Sequence, residues 1–348
     1  MTIQSILSKY WGFSTFRPLQ EDIIQSVLEG NDTLALMPTG GGKSLCFQVP
    51  ALLKPGICIV VSPLIALMKD QVENLKEKGI KAIAIISGMG KREVDIALDN
   101  CIYGDIKFLY LSPERLLSDL VRERIRYMKV NLIAIDEAHC ISQWGYDFRP
   151  PYLHLTELRE LHPEIPVLAL TATATERVAA DIQVKLNFKN GLVFRKSFER
   201  LNLSYLVYNE ENKLRKLISI ARNVKGSGII YVRNRRETQE VSRQLNLEGI
   251  SSDFYHAGLD TPLRMKKQSA WKNSEIRIMV ATNAFGMGID KADVRFVVHL
   301  DLPESLEAYY QEAGRCGRDE KKAYAVLLYN NADKALITKR LDQHYPSI

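Results

Sequence analysis

Three glycines followed by a lysine and a serine, in MPTGGGKS, are the residues of this sequence best suited to hold a phosphate. Gly40, Gly41 and Gly42 allow a sharp backbone turn whose N–H groups converge on an anion at a helix N-terminus. Thr39 opens that loop, Lys43 offers a point charge to β- and γ-phosphates, and Ser44 offers a hydroxyl to Mg²⁺. The strict GxxxxGK(S/T) spacing would place glycine where Met37 stands, so this loop alone is a variant. A second element supports it: the apolar run 131–135 ends in Asp136, Glu137, Ala138 and His139. A carboxylate at the end of a buried parallel strand is where Mg²⁺ is held in such sites. Asp136 takes that role, and Glu137 is placed to orient and deprotonate water. Alone, Asp-Glu also fits a strand end and helix cap; with the glycine loop it makes ATP the expected nucleotide and Mg²⁺ the expected ion.

Other residues fall around this pair. In FSTFRPLQ, Phe13 can stack on a base, Gln20 can pair with an adenine edge, and Arg17 lies between them. Read alone, Phe13 and Phe16 are core residues. TATAT at 171–175 either links nucleotide state to movement or is a loop with a helix cap. Trp144, Tyr146 and Phe148 fall within five residues beside Arg149, and aromatic faces stack on unpaired bases while arginine takes the phosphate. Clustered aromatics are commonly core, but the intervening Gln143, Gly145 and Asp147 argue against a buried stripe. Later, in QEAGRCGRD, Arg315 and Arg318 share one face or turn. Arg318 is the expected arginine finger, with Arg315 on the γ-phosphate and Gln311 near the attacking water. Asp290, in a loop with Gly286 and Gly288, can bond a ribose hydroxyl; a plain turn is the alternative.

The elements that must carry these residues follow from the hydropathy pattern. Runs 33–37, 57–61, 81–86, 108–111, 131–135 and 167–170 read as buried strands, with helical spacing in 64–78, 91–100 and 175–186. The alternation breaks at the polar SFERLNLS and resumes with strands at 204–208, 228–232, 252–255, 276–280, 295–300 and 323–329. This is an α/β chain of two tandem domains, 1–199 and 200–348, each a mainly parallel sheet with helices on both faces. By layout, each half resembles a RecA-like fold.

Bulk properties set limits. A length of 348 residues suits two domains, and 46% hydrophobic with 25% charged residues is a globular balance. A formal charge of +6 permits a polyanionic partner without demanding one. The N-terminus lacks the pattern of a secretory signal, and no apolar run approaches the roughly 20 residues that span a bilayer. Five cysteines, scattered and never in CxxC pairs, argue against a disulfide framework and against a zinc site, and fit a reducing cytosol.

With these motifs in place, the sequence resembles the helicase core of the RecQ family. FRPLQ, MPTGGGKS, VVSPLIALMKDQV, LSPERL, IDEAHCISQWGYDFRP, LTATAT, IIYVRNR, YHAGL, VATNAFGMGID and QEAGRCGRD follow the family's order from residue 16 to 319. The most specific is CISQWGYDFR, similar to the aromatic-rich loop that couples single-stranded DNA to ATP hydrolysis. Departures are Leu19 where the family often has Gly, Val232 and Asn234 where Cys and Ser are common, and Cys316 for a small apolar residue. Family members commonly continue into a four-cysteine zinc module and a winged helix; this sequence stops at Ile348, as a shortened or a minimal form.

The resemblance implies an ATP-dependent DNA helicase moving 3′→5′ on single-stranded DNA, serving DNA repair and recombination. Two readings stay open beside it: a DNA-stimulated translocase unable to unwind duplex alone, and a non-catalytic, ATP-switched strand-binding or annealing module. The expected partner is single-stranded or partially duplex DNA, not a membrane. A monomer in the cytoplasm, at the nucleoid in a bacterium, is the expected state; protein partners are not specified.

Overall fold

The nearly unbroken apolar runs ICIVV, VNLIAI and VLALT are buried along their whole length. That is the signature of parallel strands covered on both faces. The computed structural model describes residues 1–344 apart from 39, 146, 173, 198 and 287–290. It divides into two compact units, Met1–Phe198 and Glu199–Ile348.

The first unit runs α1 (Ile3–Trp11), α2 (Gln20–Leu28), β1 (Thr33–Leu36), α3 (Lys43–Leu53), β2 (Ile57–Val61), α4 (Ile65–Glu77), β3 (Ala82–Ile85), α5 (Lys91–Tyr103), β4 (Phe108–Leu111), α6 (Asp119–Arg126), β5 (Val130–Ile135), α7 (Leu155–Leu161), β6 (Val167–Thr171), α8 (Glu176–Lys185) and β7 (Leu192–Arg195). Its seven strands lie in the order β3-β4-β2-β5-β6-β1-β7, paired parallel throughout. Alternate residues of β2 serve opposite faces, as the pleat requires. Ile57, Ile59 and Val61 pack with Leu98, Ile125, Leu158 and Ile182 from α5 to α8. Cys58 and Val60 pack with Ile23, Phe47, Met68 and Leu75 from α2, α3 and α4. The edge strand β7 has no counterpart in the sequence reading, because LVFR is short and half exposed and pairs with β1 alone.

A buried ion pair anchors the start of β1. Asp32 accepts both guanidinium amines of Arg159, at 3.1 and 2.8 Å, and the backbone N–H groups of Val167 and Lys189. The carboxylate is thus fully bonded, which is what makes such a burial tolerable. One carboxylate thereby ties β1 to β6.

Backbone in the left-handed region marks two places. Leu19, at the N-cap of α2, has φ 68°. This conformation costs a residue with a β-carbon about 1–2 kcal/mol and costs glycine little. The family's frequent glycine there thus has a physical reason. The second place, Glu137 at φ 48°, lies in the site itself.

The second unit runs β8 (Leu203–Asn209), α9 (Lys213–Asn223), β9 (Ser227–Tyr231), α10 (Arg235–Leu247), β10 (Ser252–Tyr255), α11 (Thr261–Lys272), β11 (Ile278–Ala281), β12 (Val294–His299), α12 (Leu306–Ala313), β13 (Ala323–Tyr329) and α13 (Asn331–His344). Six parallel strands order as β10-β11-β9-β12-β13-β8. Trp271 is its largest fully buried side chain and donates Nε1–H to the carbonyl of Gly228 at 3.2 Å. Among the described residues, no helix is long and apolar enough to cross a membrane.

Candidate nucleotide site and its loops

Four adjacent strands of the first unit, β2, β5, β6 and β1, end side by side. The residues that follow them are Ser62, Asp136, the threonine end of β6 at Thr171, and the glycine loop. Ligands of open parallel sheets bind at such carboxyl ends. The sheet order therefore assembles what lies scattered along the chain.

The glycine loop is shaped from behind by the chain preceding α2. Gly40 and Gly42 have φ 81° and 77°, and Gly42 caps α3, whose first residues are Lys43 and Ser44. Gln20 donates its amide N–H to the carbonyls of Gly42 at 3.0 Å and Gly41 at 3.3 Å, and accepts from the backbone of Arg17. Arg17 in turn reaches the carbonyl of Gly40 at 2.6 Å. A β-carbon on Gly42 would lie 2.3 Å from the Gln20 amide, so glycine is required there by contact as well as by φ. Gln20 and Arg17 thus hold the loop, a role their spacing did not suggest. Phe13 is not a core residue: it is 55% exposed, while Phe16 packs on Ile6, Ile24 and Val49. Thr39 lies outside the described residues.

Ser44, Ser62, Gln71 and Asp136 line one small cleft. Gln71 donates to the Ser44 hydroxyl at 3.2 Å, and Ser62 donates to Asp136 Oδ2 at 3.4 Å. Burial first, and the adjacent Glu137 carboxylate second, push Asp136 up to about 7; Lys43 pulls it back down. A buried carboxylate under that pressure, sharing a cleft with a hydroxyl, is a donor set that fits Mg²⁺. Tyr152 bonds the carbonyl of Asp136 at 3.0 Å and fixes the strand end.

Glu137 sits in its left-handed turn with Oε2 buried and 3.4 Å from His139 Nδ1. The same Nδ1 is 2.8 Å from the Thr171 hydroxyl. Burial drives the His139 pKa down and keeps the ring neutral. His139, passed over in the sequence, therefore joins Glu137 to the TATAT segment. Thr175 caps α8 by accepting from Val178, as the loop-and-cap reading expects, and Thr171 meets His139.

The aromatic loop leaves from the same turn. Gly145 passes so close that a β-carbon would lie 2.6 Å from the His139 carbonyl. Trp144 is 59% exposed, with the Arg177 guanidinium 3.3 Å from its ring centroid. Ser142 donates to Asp181 at 2.6 Å, and Lys185 donates to the Ile141 carbonyl at 3.1 Å and lies 5.8 Å from the Phe148 ring. Arg177, Asp181 and Lys185 are four apart on α8, so one helix face holds the loop. That spacing was the signal available in the sequence. Arg149 is paired with Asp147 at 3.0 Å. Tyr146 lies outside the described residues.

In the second unit, Arg315 is only 4% exposed and donates to the Gly286 carbonyl. A β-carbon on Gly286 would lie 3.0 Å from that guanidinium. Arg318 is partly buried, and Gln311 is buried on α12. The turn between the arginines is held by two residues of the segment read only as a boundary. Arg200 donates to the carbonyls of Cys316 at 3.0 Å and Gly317 at 2.7 Å, and Asn202 donates to those of Gly317 at 2.8 Å and Lys321 at 2.9 Å. Asp290 and Gly288 lie outside the described residues.

Comparison with known proteins gives both units a family. Residues 17–182 match the DEAD/DEAH box helicase family and residues 210–320 the helicase conserved C-terminal domain. The ATP-dependent DNA helicase RecQ of Haemophilus influenzae is 44% identical over 98% of this chain and 55% of its own length. The probable ATP-dependent DNA helicase RecS of Bacillus subtilis is 41% identical over 94% of this chain and 66% of its own. The chain thus spans about half the length of RecQ proteins it matches, at 55% and 54%. A solved structure of Saccharomyces cerevisiae Dbp5 bound to RNA and ADP BeF3, at 20% identity, has the same tandem RecA-like fold with a TM-score of 0.76 over 100% of this chain and 92% of that one. Sharing 44% of its residues with RecQ proteins along almost its whole length, and carrying both helicase domains in order, this chain belongs to the RecQ family.

Proposed function

We propose that this chain is an ATP-hydrolysing motor that steps along single-stranded DNA and separates duplex, 3′→5′ as the family resemblance implies. The observation that carries the reading is the convergence of glycine loop, Asp136, Glu137 and aromatic loop at the ends of four adjacent strands. Lys43 and the loop N–H groups bind the phosphates of ATP. Ser44 and Asp136 would hold Mg²⁺, which would supply positive charge against the negative charge of the phosphates. Glu137 accepts the proton of the attacking water at Oε2, a buried oxygen without a hydrogen bond. Phe13 is exposed and free to stack on the base, and Asp290 bonds the ribose. Arg318 supplies positive charge to the γ-phosphate, with Arg315 and Gln311 alongside.

DNA enters the scheme through the aromatic loop. Trp144, Tyr146 and Phe148 stack on bases, and Arg149 takes a phosphate. Because the loop starts at Cys140, one residue beyond His139, a base displacing Trp144 is felt at Glu137. Binding through phosphates is largely blind to sequence and weakens with salt. The reading places the protein with DNA in repair and recombination, acting as a monomer in the cytoplasm or at the nucleoid.

The test is ATP turnover with and without single-stranded DNA, run beside unwinding of a fluorescent duplex on one preparation. Stimulated turnover with unwinding is expected. Stimulation without unwinding would reduce the protein to a translocase, and an absence of turnover would leave only an ATP-gated strand binder.

A further inference from the structure

The sequence argues against a zinc site because no cysteines are paired, yet the fold closes a different donor set. Ala138–Ile141 is a 3₁₀ turn, and the loop after it returns so that the N–H of Arg149 bonds the carbonyl of Cys140 at 2.9 Å. This return brings Asp147 back onto the residues that start the loop. Cys140 Sγ lies 3.7 Å from His139 Nε2 and 3.8 Å from Asp147 Oδ2. One ligand atom from each of the three residues falls within 4.8 Å of the others. Nitrogen, sulfur and oxygen ligands on a tetrahedral Zn²⁺, with bonds of about 2.0–2.3 Å, lie about 3.3–3.6 Å apart. Two of the separations are already within a few tenths of an ångström of that spacing.

The histidine is prepared for such a role. Metal-bound imidazoles use one nitrogen on the ion and bond the other to a carboxylate or similar partner, which fixes the tautomer. His139 meets Thr171 at 2.8 Å and Glu137 at 3.4 Å through Nδ1, and its Nε2 lies 3.7 Å from the Cys140 sulfur. Arg149 donates to Asp147 Oδ2 through Nε and Nη2, and the ion takes the place at that oxygen which the Cys140 S–H now holds. Asp147 is partly exposed, which gives an ion its way in, while His139 and Cys140 are fully buried.

We propose that His139 Nε2, Cys140 Sγ and Asp147 Oδ2 form a binding site for a thiophilic divalent cation of the Zn²⁺ type, distinct from the Mg²⁺ position at Ser44 and Asp136. On binding, the Cys140 thiol proton leaves to solvent, the ion takes the thiolate, and water completes the tetrahedron. The ion ties the aromatic loop at Asp147 to the turn that carries Glu137. On the function proposed above, an occupied site is a brake: the loop can no longer move with DNA, and stimulated turnover falls while the ion is bound.

Binding is read without ATP or DNA, so it stands or falls apart from the motor assignment. Metal-stripped protein is titrated with Co²⁺ and followed by absorption. One equivalent should give a thiolate-to-cobalt charge-transfer band and tetrahedral visible bands, displaced by Zn²⁺ and unaffected by excess Mg²⁺. Cys140→Ser should remove the thiolate band. Asp147→Asn, on a partly exposed loop, should weaken Co²⁺ binding by about tenfold or more, the loss that even an indirect partner of a metal ligand brings. Circular dichroism checks that each variant is folded, and Asp147→Asn decides alone should Cys140→Ser not fold. Absence of a thiolate band overturns the site, and a band of unchanged affinity in the folded variants overturns it as well and assigns the cobalt to another cysteine.

Discussion

The first unit leaves its reactive side chains at the open ends of four strands, whereas the second unit ties its arginines into its own backbone. Asp136 and Ser44 face a cleft, and Glu137 is held in a left-handed turn with an unbonded buried oxygen. Those groups carry unmet electrostatic demand, which the proposed substrate and metal would satisfy. Arg315, by contrast, is buried against Gly286, and the turn beside Arg318 is fixed by Arg200 and Asn202. An arginine is always charged, so the second unit needs no device to tune it; it needs only to aim it. On the function proposed above, this is a division of labour: one unit tunes protonation and the other tunes position.

The largest expected effect tests the aiming half. Arg318→Ala should lower kcat for ATP by about 10³–10⁵-fold, the range seen for arginine fingers. A loss of under tenfold in steady-state turnover would remove it from the site. Next comes the tuned half: Glu137→Gln keeps shape and loses the base, so turnover should fall by about 10²–10⁴-fold. Nucleotide binding, followed with a fluorescent ATP analogue, should survive, and retained turnover would refute the assignment. Arg200→Ala separates position from charge, since Arg200 bonds the carbonyls of Gly314, Cys316 and Gly317 and the side chain of Asn202, which holds the same turn. Misplacement by an ångström can cost up to about 10²-fold, and the loss should fall on kcat with KM for ATP little changed. Were KM to rise instead, Arg200 would belong to binding.

Two smaller effects sharpen the comparison within the first unit. Trp144→Ala should weaken single-stranded DNA by about 1–3 kcal/mol, the worth of one stacked base, and lower the ratio of turnover with DNA to turnover without it. An unchanged ratio would make Trp144 a packing partner of Arg177 and nothing more. Smallest is Leu19, whose strain is structural. Leu19→Gly should be more stable than Leu19→Ala by about 1 kcal/mol, read from urea midpoints, because only glycine releases the left-handed backbone. The reverse order would show that the turn relaxes when the leucine is cut back.

What the sequence determined by itself was local chemistry: apolar runs made strands, glycines before Lys43 made an anion loop, and Asp136 and Glu137 closed a strand. Each depends on neighbours along the chain, so each was legible there, and so were two α/β halves. Only the tertiary structure decided what those residues touch. Gln20 bonds the glycine loop 21 and 22 residues away, Thr171 reaches His139 across 32 positions, and Arg200 holds a turn 116 and 117 residues on. The short edge strand β7, the exposure of Phe13 and the meeting of His139, Cys140 and Asp147 were hidden for the same reason. Hydropathy and spacing report periodicity along a chain, while hydrogen bonds and metal geometry depend on distance in space, which sheet order and loop returns alone set.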